Sequence, residues 1–375
     1  MPEPCFLLFY RSEGESVIEQ LVDAARAATL RDTAQRADEA GFERIIIATT
    51  DATPFESLPG VEIDLNDSGG PFAPRLRAVL EGIDAGPICY AGSGMPGYTV
   101  AAWRALRLRV EAGETVANNL YSADVLATPE AAPLLSLPDD ARDNGMALWL
   151  RDEADVEVTP LPRSAAALLD IDTPADLRIL ALADSDRSTG TKGFDLGAEL
   201  HQLLLKTDAA AIRETGVVER ALELLTERES EMLVIGRVGS AVWQALERET
   251  ASRIRVISEE RGMRARPDGQ ARSLVGFHLG AVGPEELVAS LEELGEAVFF
   301  DTRPLFAHLD WHPSRADRFW SDAGVWEEIE HPELRAFTKA VANSRVPFVL
   351  GGHSLVSGGL LAAIDIAWSR WESSA

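Results

Sequence analysis

A chain of 375 residues exceeds a typical single domain and predicts two, and 46% hydrophobic residues are enough for each to bury a core. A formal net charge of −26 sets the chain against nucleic acid and anionic membranes, whose phosphates it would repel. The two cysteines, Cys5 and Cys89, lie far apart in apolar runs and read as buried thiols of a reducing compartment.

No apolar run approaches the roughly twenty residues of a membrane span. The opening MPEPCFLLFYRSEGES lacks the basic region of a signal peptide, so a cytoplasmic protein is expected. CFLLFY (5–10) predicts a strand, followed by a helix from Val17 to Ala40. RIIIATT (44–50) and VEIDL (61–65) read as strands, Phe72 to Ile83 as a helix, and PICYAG (87–92) as a buried strand. A helix from Thr99 to Glu111, a short strand Val125 to Ala127, a helix from Asp143 to Asp152 and an edge strand in VEVTPLP (156–162) follow. The polar, turn-rich stretch Ala183–Gly193 marks the expected boundary, giving domains 1–183 and 184–375.

Beyond it come helices over Leu196–Lys206, Asp208–Gly216 and Val218–Ser230. Alternation then restarts with MLVIGRVG (232–239), a helix through Arg248, IRVISEE (254–260) and SLVGFHLG (273–280). A helix Pro284–Leu294, the strand AVFFDTRP (297–304), helical segments to about Asn343 and VPFVLGGHS (346–354) complete the chain before a last helix. Strands alternating with helices imply βαβ units, so the fold class expected is α/β, with a mainly parallel Rossmann-like sheet followed by a second α/β domain with extra helices.

DIDTPADL (170–177) reads locally as a helix start, with Asp172 or Thr173 as N-cap, Pro174 in the first turn and Asp176 at the positive end of the dipole. The segment also resembles the closing motif of MobA-like nucleotidyltransferases, whose GT-A-like α/β fold moves a nucleotidyl group from an NTP onto a phosphate or sugar phosphate. ARAATLRDTAQRADEAGFERIIIATTD (25–51), ICYAGSGMP (88–96) and NNLYSADVLATP (118–129) fall in the family's order, so the resemblance covers about residues 1–183. It implies Mg²⁺ on Asp172, helped by Asp124 or Asp51, and nucleotide on Arg11 and the 91–97 loop. Ser93, Gly94 and Thr99, which follow PICYAG, are binding candidates because ligands of open parallel sheets sit beyond the strand ends.

Three departures stand out. The first strand ends in FLLFYRSEGES, without the family's glycine pair. No lysine precedes Lys192, so Arg11, Arg31 or Arg75 would have to hold phosphates. Gly94 stands where the family carries a metal-binding aspartate.

All six histidines lie in the second half, where four motifs fall at expected strand ends: GRVGS (236–240), SEERGMR (258–264), DTRP (301–304) and GGHSLVSGG (351–359). They place Arg237, Glu259, Glu260, Asp301, Arg303 and His353 on one rim, with His278 near it. Gly351, Gly352 and Ser354 read either as an anion-binding strand-to-helix loop or as a tight turn. His308 and His312, four apart, read as a metal pair on one helix face or as ordinary hydrogen-bonders. No G-x-S-x-G elbow accompanies Ser354.

Three functions are compatible with these residues. The first is a divergent nucleotidyltransferase, transferring from an NTP to a small phosphorylated acceptor. The second is a domain that binds a nucleotide or phosphometabolite without turnover. The third places the chemistry in the second half, around Asp301, Arg303, His312 and His353, with the first half as donor site or scaffold. The partner in each is an NTP or a small phosphorylated metabolite, with no nucleic acid or membrane; a homo-oligomer is compatible with all three.

Overall fold

CFLLFY is apolar at every position because its strand is covered on both faces. In the structure, a computed structural model describing residues 3–65, 70–185, 196–207, 212, 215–259 and 271–374, β1 (Cys5–Tyr10) is buried throughout. Phe6, Leu8 and Tyr10 enter one core, while Cys5, Leu7 and Phe9 enter the core on the opposite face. On either side of β1 run β2 (Ile45–Thr49) and β4 (Ile88–Gly92), both parallel to it. With β3 (Val61–Asp64), β5 (Thr115–Ala117), β6 (Val125–Thr128) and β7 (Val158–Pro160), they form a seven-stranded sheet of order β3-β2-β1-β4-β6-β5-β7.

Only β6 runs against its neighbours. The chain moves outward from β1 through β2 to β3, then returns to place β4 on the other side of β1. Such a reversal leaves a crevice beyond the carboxyl ends of the two strands, where ligands of open α/β sheets bind. Helix α1 (Val17–Glu39) follows β1, α2 (Phe72–Gly82) leads to β4, and α3 (Val100–Glu111) follows β4.

A second sheet has the order β11-β10-β8-β9, entirely parallel, from β8 (Glu231–Gly236), β9 (Arg253–Ser258), β10 (Ala297–Asp301) and β11 (Phe348–Gly351). Here too the order reverses, between β8 and β10. Central β10 is buried at every residue, whereas edge strand β9 exposes Arg253, a charge that blunts the open edge. The fold class is thus α/β twice over, as the alternation implied.

The chain divides into two compact units, which interleave along the sequence. One comprises Met1–Glu13, Asp23–Leu168 and Asp195–Leu203; the other comprises Gly14–Val22, Leu169–Phe194 and Leu204–Ala375. DIDTPADL therefore sits in the second unit. Most of the expected linker Ala183–Gly193, Lys192 included, lies outside the described residues, as do most of Asp208–Gly216 and Glu260 to Arg264 of the SEERGMR motif.

Two local expectations are corrected. SLVGFHLG forms a helix, Leu274–Val282, because the Ser273 side chain accepts from Gly276 N and caps it. His278 is therefore not at a strand end; its Nε2 meets Ser290 Oγ at 3.2 Å. The helix Arg303–His308 stops before His312, and Asp310 between them has φ 55°, so the two histidines do not share a helical face. His312 instead pairs with exposed Asp310 at 3.0 Å.

Candidate functional site

The crevice between β1 and β4 holds a cavity of about 270 Å³. Arg11, the first residue after β1, reaches it with one guanidinium nitrogen on the Gly70 carbonyl at 3.2 Å. Arg26 comes from α1 and donates from Nε to Ser93 Oγ, one residue past β4, at 3.1 Å. From the first turn of α2 comes Arg75, whose guanidinium lies 4.8 Å from the Phe9 ring centre. Pro71, the N-cap of α2, supplies no side-chain acceptor to the first-turn N–H groups. The positive end of a helix dipole and three guanidinium groups thus face one small crevice, together with the carboxylates of Asp143 and of Glu13, which pairs with Arg11 at 3.4 Å. Cations outnumber carboxylates there, which favours an anion.

The turn after β1 is built by polar contacts instead of glycines. Asp23 accepts from Ser12 Oγ at 3.1 Å and from Glu13 N at 2.8 Å, and its carbonyl accepts from the buried Tyr10 hydroxyl at 3.2 Å. The loop after β4 is equally fixed. Arg36, buried in α1, donates to the carbonyls of Pro96 and Tyr98 at 3.1 and 3.0 Å. Gly97 is required there because a Cβ would come within 2.5 Å of Ala166 Cα.

Of the residues expected on this loop, Ser93 lines the cavity together with Gly92. Gly94 is buried, and exposed Thr99 is the N-cap of α3, accepting from Ala102 N at 3.2 Å. Arg31 pairs with Glu199 at 3.1 Å and does not line the cavity, whereas Arg11, Arg26 and Arg75 do, Arg11 beside Glu13 at 3.4 Å.

Arg26, Tyr90 and Asp143 were not singled out in the sequence. Arg26 is one polar residue among many on a long helix, and Tyr90 reads as part of an apolar strand. Burial raises the Tyr90 pKa, reinforced by Asp143 and Asp124 and opposed by Arg75 and Arg26. The phenol is therefore neutral, an O–H donor within the field of two cations and two carboxylates.

A divalent cation arriving with a nucleotide would find a thin donor set. Asp143 lines the cavity, and Asp124, whose carbonyl accepts from Gly92 N at 2.8 Å, acts on the same phenol. Among the described residues, no three His, Cys, Asp or Glu side chains form a metal site. Mg²⁺ fits here only as a phosphate-borne ion leaning on one or two carboxylates. Asp172 belongs to the second unit.

In that unit β8, β10 and β11 run parallel, so among the described residues GRVGS, DTRP and GGHS follow the same ends of adjacent strands, and Arg237, Asp301 and Arg303 are engaged in ion pairs. Asp301, fully buried, takes Arg237 Nε and a second guanidinium nitrogen at 2.6 and 3.0 Å. It also accepts from the backbone N–H groups of Arg237 and Arg303. Arg303 forms a two-pronged pair with buried Asp322 at 3.1 and 2.5 Å. Ser354 Oγ donates to the Asp170 carbonyl at 2.7 Å and accepts from Asp170 N at 3.2 Å, tying the last loop to DIDTPADL. The glycines of GGHS make room for that same segment. A Cβ on Gly351 would meet Leu355 at 3.0 Å and Ala175 at 3.2 Å, and one on Gly352 would meet Thr173 at 3.2 Å. His353 is half-buried beside them.

The first unit is thus a mainly parallel α/β domain with an arginine-lined crevice at its topological switch point. No family model matches the chain, and no curated protein matches it. Among solved structures it is similar to a protein assigned as a nucleotide-diphospho-sugar transferase from Desulfovibrio desulfuricans G20, at 16% identity and TM-score 0.41, over 57% of this chain and 99% of that one. It is also similar to a cytidylyltransferase from Leptospira borgpetersenii serovar Hardjo-bovis (strain JB197), at 14% identity and TM-score 0.37, over 49% and 87%. A third likeness, to Rv0371c from Mycobacterium tuberculosis H37Rv, has 18% identity and TM-score 0.33 over 48% and 98%. Likenesses this distant assign no activity to the chain.

Proposed function

We propose that the first unit is a nucleotidyltransferase-like domain that binds a nucleoside triphosphate by its phosphates in the arginine cavity and passes the nucleotidyl group to a small phosphorylated acceptor. The observation that carries this reading is the convergence of Arg11, Arg26 and Arg75 with the α2 N-terminus at the β1/β4 switch point. Positioned cations are what phosphoryl-type transfer needs, since charge develops on the transferred group and on the leaving pyrophosphate.

In such a reaction an acceptor phosphate oxygen forms the new bond to the α-phosphorus as the bond to the leaving pyrophosphate breaks. Arg11 and Arg75 would hold the phosphates, and Arg26 with Ser93 would fix the wall of the crevice. Mg²⁺, brought by the nucleotide, would screen phosphate charge next to Asp143 and Asp124.

Binding without turnover is favoured by one specific feature, the Gly94 that stands where the resembled family carries a metal aspartate. Titration with each NTP, followed by measurement of pyrophosphate on adding phosphorylated acceptors, separates the two readings. Arg75→Gln is expected to weaken NTP binding at least tenfold, the loss of one charge-assisted contact. Pyrophosphate release supports transfer, and tight binding without release supports the second reading. An Arg75→Gln protein that binds as the parent does removes the cavity from both.

A further inference from the structure

Tyr90 stands in the wall of the arginine cavity and is only 2% exposed. Its ring is fully used: Phe9 and Phe72 pack against it with ring centres 5.5 and 5.9 Å away. Its hydroxyl makes no hydrogen bond to a described residue, and it is not among the fully buried atoms that lack a partner, so it meets the cavity itself. Phenylalanine would fill the same aromatic cluster but would present no donor to the cavity.

The position explains the choice of residue. Tyr90 is opposite Leu7 in the sheet register, two residues before the end of β4, with its side chain on the face that α2 covers. Arg26 and Arg75 act on its hydroxyl from one sign of charge, Asp124 and Asp143 from the other. An anion drawn in by the arginines would arrive within reach of a neutral donor that no described residue engages.

We propose that Tyr90 reads the ligand directly, its hydroxyl donating to a phosphate oxygen seated between Arg26 and Arg75. This rests on the cavity being the phosphate site, and it adds a short-range requirement to the long-range attraction of the arginines. Charge gathers any polyanion, whereas the phenol rewards one that places an oxygen at its hydroxyl. The same contact makes Tyr90 a binding residue that does not depend on whether transfer occurs.

The test compares the parent protein with Tyr90→Phe and Arg75→Gln by calorimetric titration of ATP, CTP, GTP, UTP and inorganic tripolyphosphate, alongside thermal melting without ligand. Tyr90→Phe is expected to melt as the parent does, since the packing is kept. It is expected to bind the preferred ligand about tenfold more weakly, the loss of one hydrogen bond to a charged acceptor. Unchanged affinity in Tyr90→Phe with weakened affinity in Arg75→Gln overturns the role of Tyr90 and leaves the cavity standing. No binding by the parent, or none sensitive to Arg75, overturns the cavity itself and the proposal with it.

Discussion

Asp176 shows how much a single residue in a helix-start motif can be made to do. It is fully buried, and one of its oxygens, Oδ2, accepts from Asp172 N, Thr173 N and Thr173 Oγ1 at 3.1, 2.8 and 2.9 Å. The other oxygen, Oδ1, has no partner. Burial, reinforced by the neighbouring Asp172 charge, lifts its pKa to about 7. Because the folded state holds the proton more tightly than the unfolded chain, the stability it contributes is complete below about pH 4. That contribution falls away as the pH rises through about 7. Asp176→Asn, which keeps an acceptor without the charge, is expected to flatten this slope and to gain on the parent at pH 8 relative to pH 5. Urea unfolding at the two pH values measures it. From the sequence, Asp176 is legible as a helix-dipole residue; its burial is not, because that depends on what packs over the turn.

Elements were readable where the physics is local. β1, β2 and β4 are continuous apolar runs because both faces are covered, and α2 and α3 begin near the residues that the periodicity gives. The three-residue β5 carries too little pattern to stand out. SLVGFHLG illustrates the ambiguity of short apolar runs, which fit a strand or a buried helix alike until the cap is known. Arg11 and Ser93 could be nominated because each follows a strand, whereas Arg26 and Tyr90 reach the cavity only through the three-dimensional course of α1 and β4.

Close approach of elements was equally hidden. Gly236, with φ 130°, ends β8 so near β10 that a Cβ would lie 2.4 Å from Asp301 Cβ. Gly236→Ala is expected to cost about 2 kcal/mol or more, from backbone strain plus displacement of the Arg237–Asp301 pair. Equilibrium denaturation checks it, and a loss under about 0.5 kcal/mol, the scale of an ordinary surface change, would show that the rim repacks freely.

For the molecule as a whole, two mainly parallel sheets offer two switch points, and they differ in whether a cavity opens between their charged groups. At the second, Arg237 and Arg303 are engaged by Asp301 and Asp322, and the glycines of GGHS accommodate Thr173 and Ala175. At the first, three arginines, an uncapped helix start and the Tyr90 hydroxyl line an open cavity. DIDTPADL could be recognised from its residues, but its membership of the second unit could not, since interleaving of units is set by long-range contacts. With a net charge of −26, the chain as a whole repels anions, so a site that binds one must concentrate positive charge locally.

A crystal structure of the protein with a bound nucleoside triphosphate tests this most directly. Phosphate density between Arg11, Arg26 and Arg75, within hydrogen-bond distance of the Tyr90 hydroxyl, is the expected result. Phosphates seated instead on Arg237 and Arg303, with those arginines released from Asp301 and Asp322, would contradict it and move the function to the second unit.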